Sequence, residues 1–317
     1  MIRDPKNNPK LGYLLVTAGS LSYAIEGVLI TEINQRYNIS TPTIVFYRQW
    51  AVTLVLIGSL AVLRPSLLRV RWRDLPFLIG MGLLVDGIGN LAYTQAILTA
   101  GISVTTVLVH TSPVWVNLFA FLVWRDKLGL PRLAALVGSF LGILFVAGVI
   151  PHGPIQLNGS GVLLGLLTSL TAASFFLLGT YAVKRYSPIT VITYIFGSAA
   201  VGLTFIQSPA LVTAVFRTPN AFIWILALGL GPGLLGSLGW IAGTQYLPAG
   251  VSSLVAASME PVLASSVAWI LLDERLNLYQ ILGAFITIAC VVMLGYFDLK
   301  QERKVIKGIR DDLPQRW

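Results

Sequence analysis

The sequence predicts an all-α integral membrane protein with ten transmembrane helices in two inverted five-helix repeats. Three observations predict it. Apolar runs of membrane-spanning length recur along all 317 residues, positive charge collects on alternate connections, and motifs of the first half return in the second. The chain is 56% hydrophobic and only 11% charged, with mean hydropathy +0.79, whereas soluble domains carry about 25% charged residues. A run of roughly 20 apolar residues crosses the hydrocarbon core as a helix, because lipid offers the backbone no other hydrogen-bond partner. The runs lack the strict alternation that a membrane β-barrel requires.

The expected spans are 11–33, 42–63, 74–98, 102–124, 131–149, 159–184, 188–208, 220–245, 249–272 and 277–296. The first follows a polar start, Met1 to Lys10, and ends without the small-residue site of a cleavable signal. Pro42, Pro131 and Pro188 open the second, fifth and seventh spans, where a missing N–H costs nothing. The third carries Asp86, Asn90 and Tyr93 at i, i+4 and i+7, on one face. On the first, Ser22 and Glu26 share a face, and Thr106, His110, Pro113 and Asn117 do so on the fourth. In the eighth, Gly229, Gly231, Gly233, Gly236 and Gly239 permit close helix packing, and Pro232 permits a bend. Asn277 with Gln280 forms a capping box at the head of the tenth. Asp126 and Glu274, just past the fourth and ninth spans, read as caps of the helix starts that follow.

Charge sets the orientation. With both termini cytoplasmic, the inner segments hold 18 Lys and Arg, and the outer loops hold only Arg36, Arg217 and Arg275. This reads as a multi-pass protein of the plasma (inner) membrane. The net charge of +9 is then a topology signal rather than a nucleic-acid footprint. The single cysteine, Cys290, sits in an apolar run and can form no disulfide framework within the chain. No Walker loop, metal-ligand spacing or Ser–His–Asp set occurs, so no cofactor, no metal site and no catalytic residues are expected.

The halves repeat. Gly12-Tyr13-Leu14-Leu15 returns as Gly161-Val162-Leu163-Leu164, Arg36-Tyr37 as Arg185-Tyr186, and Gly89-Asn90-Leu91-Ala92-Tyr93-Thr94-Gln95 as Gly239-Trp240-Ile241-Ala242-Gly243-Thr244-Gln245. Ser112-Pro113, followed by an apolar run and Asp126, returns as Glu260-Pro261 and Glu274. An odd number of spans per half inverts the second half, an architecture that binds substrate near the midplane between the halves. The expected organisation is a tail at 1–10, repeats at 11–149 and 159–296, an outer linker at 150–158 that includes Pro151-His152-Gly153-Pro154, and a basic tail at 297–317.

Glu260-Pro261-Val262 through Glu274-Arg275-Leu276, followed by Gln280 and Gly283, with the looser Ser112-Pro113-Val114 through Asp126-Lys127-Leu128, resembles the EamA family of the drug/metabolite transporter superfamily. The resemblance spans about residues 11–296. It implies a ten-helix secondary transporter, often an exporter of amino acids or other small metabolites, and leaves the substrate open.

An ionisable side chain costs about 2.5–3.5 kcal/mol or more at a helix centre in lipid, so it faces a cavity or a partner. Glu26, Arg48, Asp86, His110 and Glu260 are such groups, and none has a like-charged counterpart in the other half: Glu26 aligns with Phe175, Arg48 with Tyr194, Asp86 with Gly236 and Glu260 with Ser112. Glu26 and Arg48 read equally as a buried ion pair or as substrate contacts. His110 reads first as a packing residue, and Glu260 equally as kink scaffold or ligand. Asp86 is the leading candidate for a substrate amine or a coupled proton. Asn90, Tyr93 and Trp240 complete the candidate binding set, with Tyr23 and Trp115 as further apolar lining. Pro113 and Pro261 are expected helix kinks that free the carbonyls of Val109 and Ala257. The expected partners are a small polar substrate, protons as a candidate co-substrate and the lipid bilayer, with no nucleic acid and the oligomeric state open. The competing class, a non-transporting scaffold or sensor, calls for soluble domains or long loops, and the loops here are short.

Overall fold

The computed structural model describes residues 8–124, 129–146, 149, 158–207, 219–272 and 277–293. Every regular element among them is helical. In chain order they are α1 (Pro9–Tyr37), α2 (Thr41–Leu63), α3 (Leu75–Ala100), α4 (Ile102–Val109), α5 (Ser112–Trp124), α6 (Leu130–Val146), α7 (Gly159–Ala182), α8 (Pro188–Ile206), α9 (Asn220–Gly243), α10 (Ala249–Leu272) and α11 (Leu278–Met293). Six of these, α1, α2, α3, α7, α8 and α9, are long and apolar enough to cross a membrane, and Val104–Phe119, Leu133–Phe145, Ala249–Ala264 and Leu278–Met293 are shorter apolar helices. The expected caps Asp126 and Glu274, the 151–157 part of the linker and both tails up to residue 7 and from 294 lie outside the described residues.

Local chemistry sets several ends. The α11 capping box is reciprocal: Gln280 N donates to Asn277 Oδ1 and Asn277 N donates to Gln280 Oε1, both at 2.9 Å. Pro42 and Pro188 stand in the first turns of α2 and α8. Asn38 adopts a left-handed conformation just past α1 and ends it, four residues beyond the expected 33.

Two differences from the sequence reading concern continuity. The fourth span was expected as one helix over 102–124, but the chain turns at His110 and Thr111, so the polar face from Thr106 to Asn117 is split. Pro113 withholds an N–H from the turn before it, and the Thr111 hydroxyl bonds back to Leu108 O at 2.7 Å and to Ser169 Oγ at 2.8 Å. α1 likewise turns at Ala24 and Ile25, immediately before Glu26. α10, in contrast, runs through Pro261 as one helix.

α3 and α9 each contain a π-helical segment, Met81–Gly87 and Gly229–Gly236. These lie just ahead of the repeated Gly89-to-Gln95 and Gly239-to-Gln245 motifs. Widened turns of this kind occur mostly as single insertions in α-helices, often at functional sites. In α9 the segment houses Pro232 without breaking the helix.

Large apolar side chains cover much of the outside: Phe205 is 87% exposed, Val62 82% and Phe285 73%. In water such a surface would aggregate, whereas in a bilayer it faces acyl chains. Inside, helices touch through small residues. A Cβ on Gly239 would stand 2.7 Å from Leu15 O and 2.8 Å from Gly19 Cα, so α1 and α9 meet at backbone distance.

Each end of the bundle is tied. At the end where α7 stops and α3 starts, Arg185 Nη1 donates to Asp74 Oδ1 at 2.8 Å and Tyr186 Oη donates to Asp74 Oδ2 at 2.5 Å. Thr190 Oγ1 and Tyr194 Oη add bonds to Leu67 O and Leu68 O. At the opposite end, where α1 stops, the Arg36 guanidinium lies 5.8 Å from the Trp224 ring centre on α9 and pairs with Glu32. Gln207 Nε2 there donates to Thr43 Oγ1 at 2.6 Å.

Candidate functional site

The central cavity lies between α1, α3, α7, α9 and α10, beside the end of α4, with room for about 90 Å³. α3 supplies Val85, Asp86, Gly89, Asn90 and Tyr93, one side of a helix in which the π-helical segment ends beside Asp86. α1 contributes Tyr23 and Glu26 on either side of its turn. α9 adds Trp240, α10 adds Glu260, and Val109 closes one wall at the end of α4. The wall next to α3 is α7, through Thr168, Thr171, Ala172 and Phe175, with Thr171 against Gly89.

A polar chain runs along the α1–α2–α3 side. The Arg48 guanidinium, on α2, donates to Glu26 Oε1, and its Nη1 also donates to Asn90 Oδ1 at 2.5 Å. Asn90 Nδ2 then donates to Asp86 Oδ1 at 2.9 Å and to Asp86 O at 2.8 Å. Arg48 is 1% exposed and Glu26 2%, so the pair is removed from bulk water, where breaking one partner is costly. Asp86 is reached by Arg48 only through Asn90. Its second oxygen, Oδ2, is buried with no hydrogen bond of full geometry among the described residues, although the buried Gln49 amide lies beside this carboxyl. Glu260 forms no ion pair or hydrogen bond among them either.

The aromatic side is equally ordered. Tyr23 stacks on Trp240 with ring centres 4.0 Å apart and planes at 23°. Tyr23 Oη lies 2.6 Å from Ser237 Oγ, and Trp240 Nε1 donates to Ser20 Oγ at 3.1 Å. Both rings are thus held by bonds on their outer edges. The tight α1–α9 approach at Gly19, Gly236 and Gly239 makes this stacking geometrically available.

The structure therefore brings Glu26, Asp86, Asn90, Tyr93, Trp240 and Glu260 to one cavity, with Arg48 behind its wall. His110 is buried next to Val109 but does not line the cavity, and its Nε2 has no partner among the described residues. Trp115 does not line the cavity; it packs on an apolar cluster with Val116, Leu254 and Val255, against which Trp240 also packs. The α7 wall escaped the sequence reading, which looked for charge. Its signal was the spacing of Thr168, Thr171 and Phe175, three polar or aromatic residues on one helical face.

Within the described residues no cluster of His, Cys, Asp and Glu could hold a metal. The wall chemistry is that of a binding site: carboxylates, an amide, hydroxyls and stacked rings.

The comparisons with known proteins agree with this architecture. The profile of the EamA-like transporter family matches the chain twice, over residues 10–148 and 159–296. An uncharacterized transporter of Archaeoglobus fulgidus is 20% identical over 284 residues, covering 90% of this chain and 98% of its own length. The uncharacterized transporter YdfC of Bacillus subtilis is 25% identical over 261 residues, covering 80% of this chain and 83% of its own. A solved crystal structure superposes with a TM-score of 0.70 over 92% of this chain and 98% of that one at 13% identity, which marks a shared fold. With the family profile filled twice by helices that wall a buried cavity, the chain belongs to the EamA-like transporter family and is a multi-pass membrane transporter.

Proposed function

We propose that the chain is a secondary transporter for small polar metabolites, amino acids or related amines, working by alternating access between two inverted five-helix repeats, 11–149 and 159–296. The observation that carries this reading is the buried cavity with charged and aromatic walls drawn from both halves: α1, α3 and α4 from the first, α7, α9 and α10 from the second. Inverted repeats place substrate between their halves. The pairing of π-helical segments in α3 and α9 supports the repeat. So does the chain direction: α1 starts at the end of the bundle where α7 stops, close to Asp74.

In this reading the Asp74–Arg185 contact closes the cytoplasmic end and the Arg36–Trp224 contact closes the outer end, with both termini cytoplasmic by the charge bias. Export is the expected direction. Glu26, Asp86, Asn90, Tyr93, Trp240 and Glu260 form the binding set, and Arg48 holds Glu26 and Asn90 in place. Pro113 relaxes the α4–α5 junction beside Val109 for motion between states.

The test is counterflow in proteoliposomes with a panel of amino acids and amines at two pH values. Saturable exchange of at least one solute, absent from liposomes without protein, is the expected result. A panel without any exchange, with protein shown to be inserted and monodisperse, rejects the transport reading.

A further inference from the structure

We propose that the cavity selects a compact organic monocation, a primary amine or related ammonium with an apolar body, and turns away molecules that carry a free carboxylate; this rests on the transport reading above and narrows its substrate class. The argument is one of charge, partners and shape at a single place.

Three carboxyl groups, Glu26, Asp86 and Glu260, reach the cavity, and none of the lining residues is basic. Among the described residues the guanidinium nearby, Arg48, does not line it: Arg48 is 1% exposed and its Nη1 is held by Glu26 and Asn90. Its Nε is buried without a partner among the described residues, 3.4 Å from where a side chain on Gly233 would stand, and neither Arg48 nor Gly233 lines the cavity. An amino acid entering here would find acceptors for its ammonium and no cation for its carboxylate. That carboxylate would be left in a water-poor site beside Asp86 and Glu260, which is the costly arrangement for a buried charge.

The partners point the same way. Glu26 is paired, but Asp86 Oδ2 is buried and unpartnered, and Glu260 is free of ion pairs among the described residues. Asp86 is 7% exposed, and apart from the buried Gln49 side chain beside it, whose amide also lacks a partner among the described residues, the donor for this oxygen comes from inside the cavity. A proton, a water or an ammonium N–H meets that need; a carboxylate does not.

Shape supplies the third line. Trp240 and Tyr23 line the cavity stacked on each other, with Trp240 also packed against Phe176, and Tyr93 and Phe175 stand on neighbouring walls. Ring faces attract an ammonium by cation–π interaction, more strongly where water is excluded, and they pack against an apolar body. Room for about 90 Å³ corresponds to on the order of six waters, which suits a compact solute.

The experiment uses the purified full-length protein and three probes: phenylalaninamide, phenylalanine and 3-phenylpropionate. The first two have the same size and differ in replacing a carboxylate by a neutral amide. Binding is measured by calorimetry in detergent, and counterflow in proteoliposomes follows for each probe. The expected result is binding of the amide at least ~10-fold tighter than of phenylalanine, with no binding of 3-phenylpropionate. Asp86→Asn and Glu260→Gln, both close in shape to the parent residues, each weaken the amide by about 10-fold or more. Thermal melting in detergent confirms that the variants remain folded. Equal or tighter binding of phenylalanine, binding of 3-phenylpropionate, or no binding of the amide overturns the proposal. Exchange of phenylalanine but not of the amide would sink the cation assignment and keep the transporter. Tight amide binding without any exchange would keep the cation assignment and sink the transporter.

Discussion

Arg185 donates to Asp74 at 2.8 Å across one end of the bundle, and at the other end Arg36, which the repeated Arg-Tyr pair aligns with Arg185, lies over Trp224. Trp224 stands in the first turns of α9 as Asp74 stands at the head of α3. The two halves thus tie their ends with the same arginine and different acceptors. In the alternating-access reading proposed above, one tie opens to release a solute. Removing the Asp74 charge takes away the ion pair and weakens the Tyr186 bond. Asp74→Asn is therefore expected to raise maleimide labelling of a cavity cysteine, Ala172→Cys in a Cys290→Ala background, by about threefold, the scale of an exposed ion pair. An unchanged labelling rate would mean that this contact does not hold the cavity shut.

The pH dependence of that tie follows from its partners. The Tyr186 hydrogen bond, aided by the Arg185 charge, holds the Asp74 carboxyl below its usual value, and loss of hydration opposes the shift only in part. A carboxyl depressed by its contacts lends stability above the ordinary value, and that stability is lost as pH falls through the depressed one. The ordinary value is about 3.9, so the tie is at full strength throughout neutral pH. Tyr186 moves upward, through lost hydration and then its bond to Asp74, and keeps its proton there. The ratio of labelling rates with and without Asp74→Asn should stay flat from about pH 6 to 8. A ratio that climbs or falls across that range would show that another titrating group governs the closure.

The membrane class and the approximate helix limits were legible because they rest on composition and periodicity, and the family was legible from the resemblance carried by the Glu260-Pro261-Val262 to Glu274-Arg275-Leu276 stretch. The capping box of Asn277 and Gln280 is a local device and formed as its spacing suggests. The break at His110 and Thr111 was not legible, since Pro113 marks a weak point without saying on which residue the turn falls. The π-helical segments were equally hidden, because one inserted residue leaves the apolar pattern almost unaltered. For the site, charge in an apolar helix led to the α3 face and to Glu26 and Glu260. It also led to His110, which is buried beside the cavity without lining it. The α7 wall carries no charge; the spacing of Thr168, Thr171 and Phe175 marks a face, and only the approach of Thr171 to Gly89 in space shows that this face meets α3.

Backbone contact between α1 and α9 makes a sharp expectation. A methyl group on Gly239 would meet Leu15 O at 2.7 Å and the Gly19 backbone at 2.8 to 2.9 Å, and neither can swing aside. Gly239→Ala should separate the helices, disturb the Tyr23–Trp240 stack and destabilise the protein by about 1–3 kcal/mol, the usual cost of overpacking. Gly58→Ala in α2, where nothing lies within 4 Å, serves as the control. It should be neutral or stabilising by up to about 1 kcal/mol from helix propensity. Melting temperatures in detergent read both, and equal melting of the two variants would contradict the close α1–α9 packing.

The Arg48–Glu26 pair separates structure from binding. Arg48→Ala leaves Glu26 as an isolated carboxyl in a site 2% exposed and also removes the donor to Asn90. Breaking one partner of a buried pair costs about 3–5 kcal/mol, so this variant should melt well below the parent or fail to fold. Replacing both partners, Arg48→Met with Glu26→Gln, removes both charges together and should recover much of that loss, since apolar or neutral substitutes for a buried pair are often tolerated. Asp86→Asn behaves differently, because Asn90 Nδ2 can still donate to the amide oxygen. It should keep the parent melting temperature within about 1 kcal/mol while losing ligand affinity. A double variant as unstable as Arg48→Ala alone would mean that Arg48 supports the fold through something other than Glu26, and the division between a structural pair and a free Asp86 would fail.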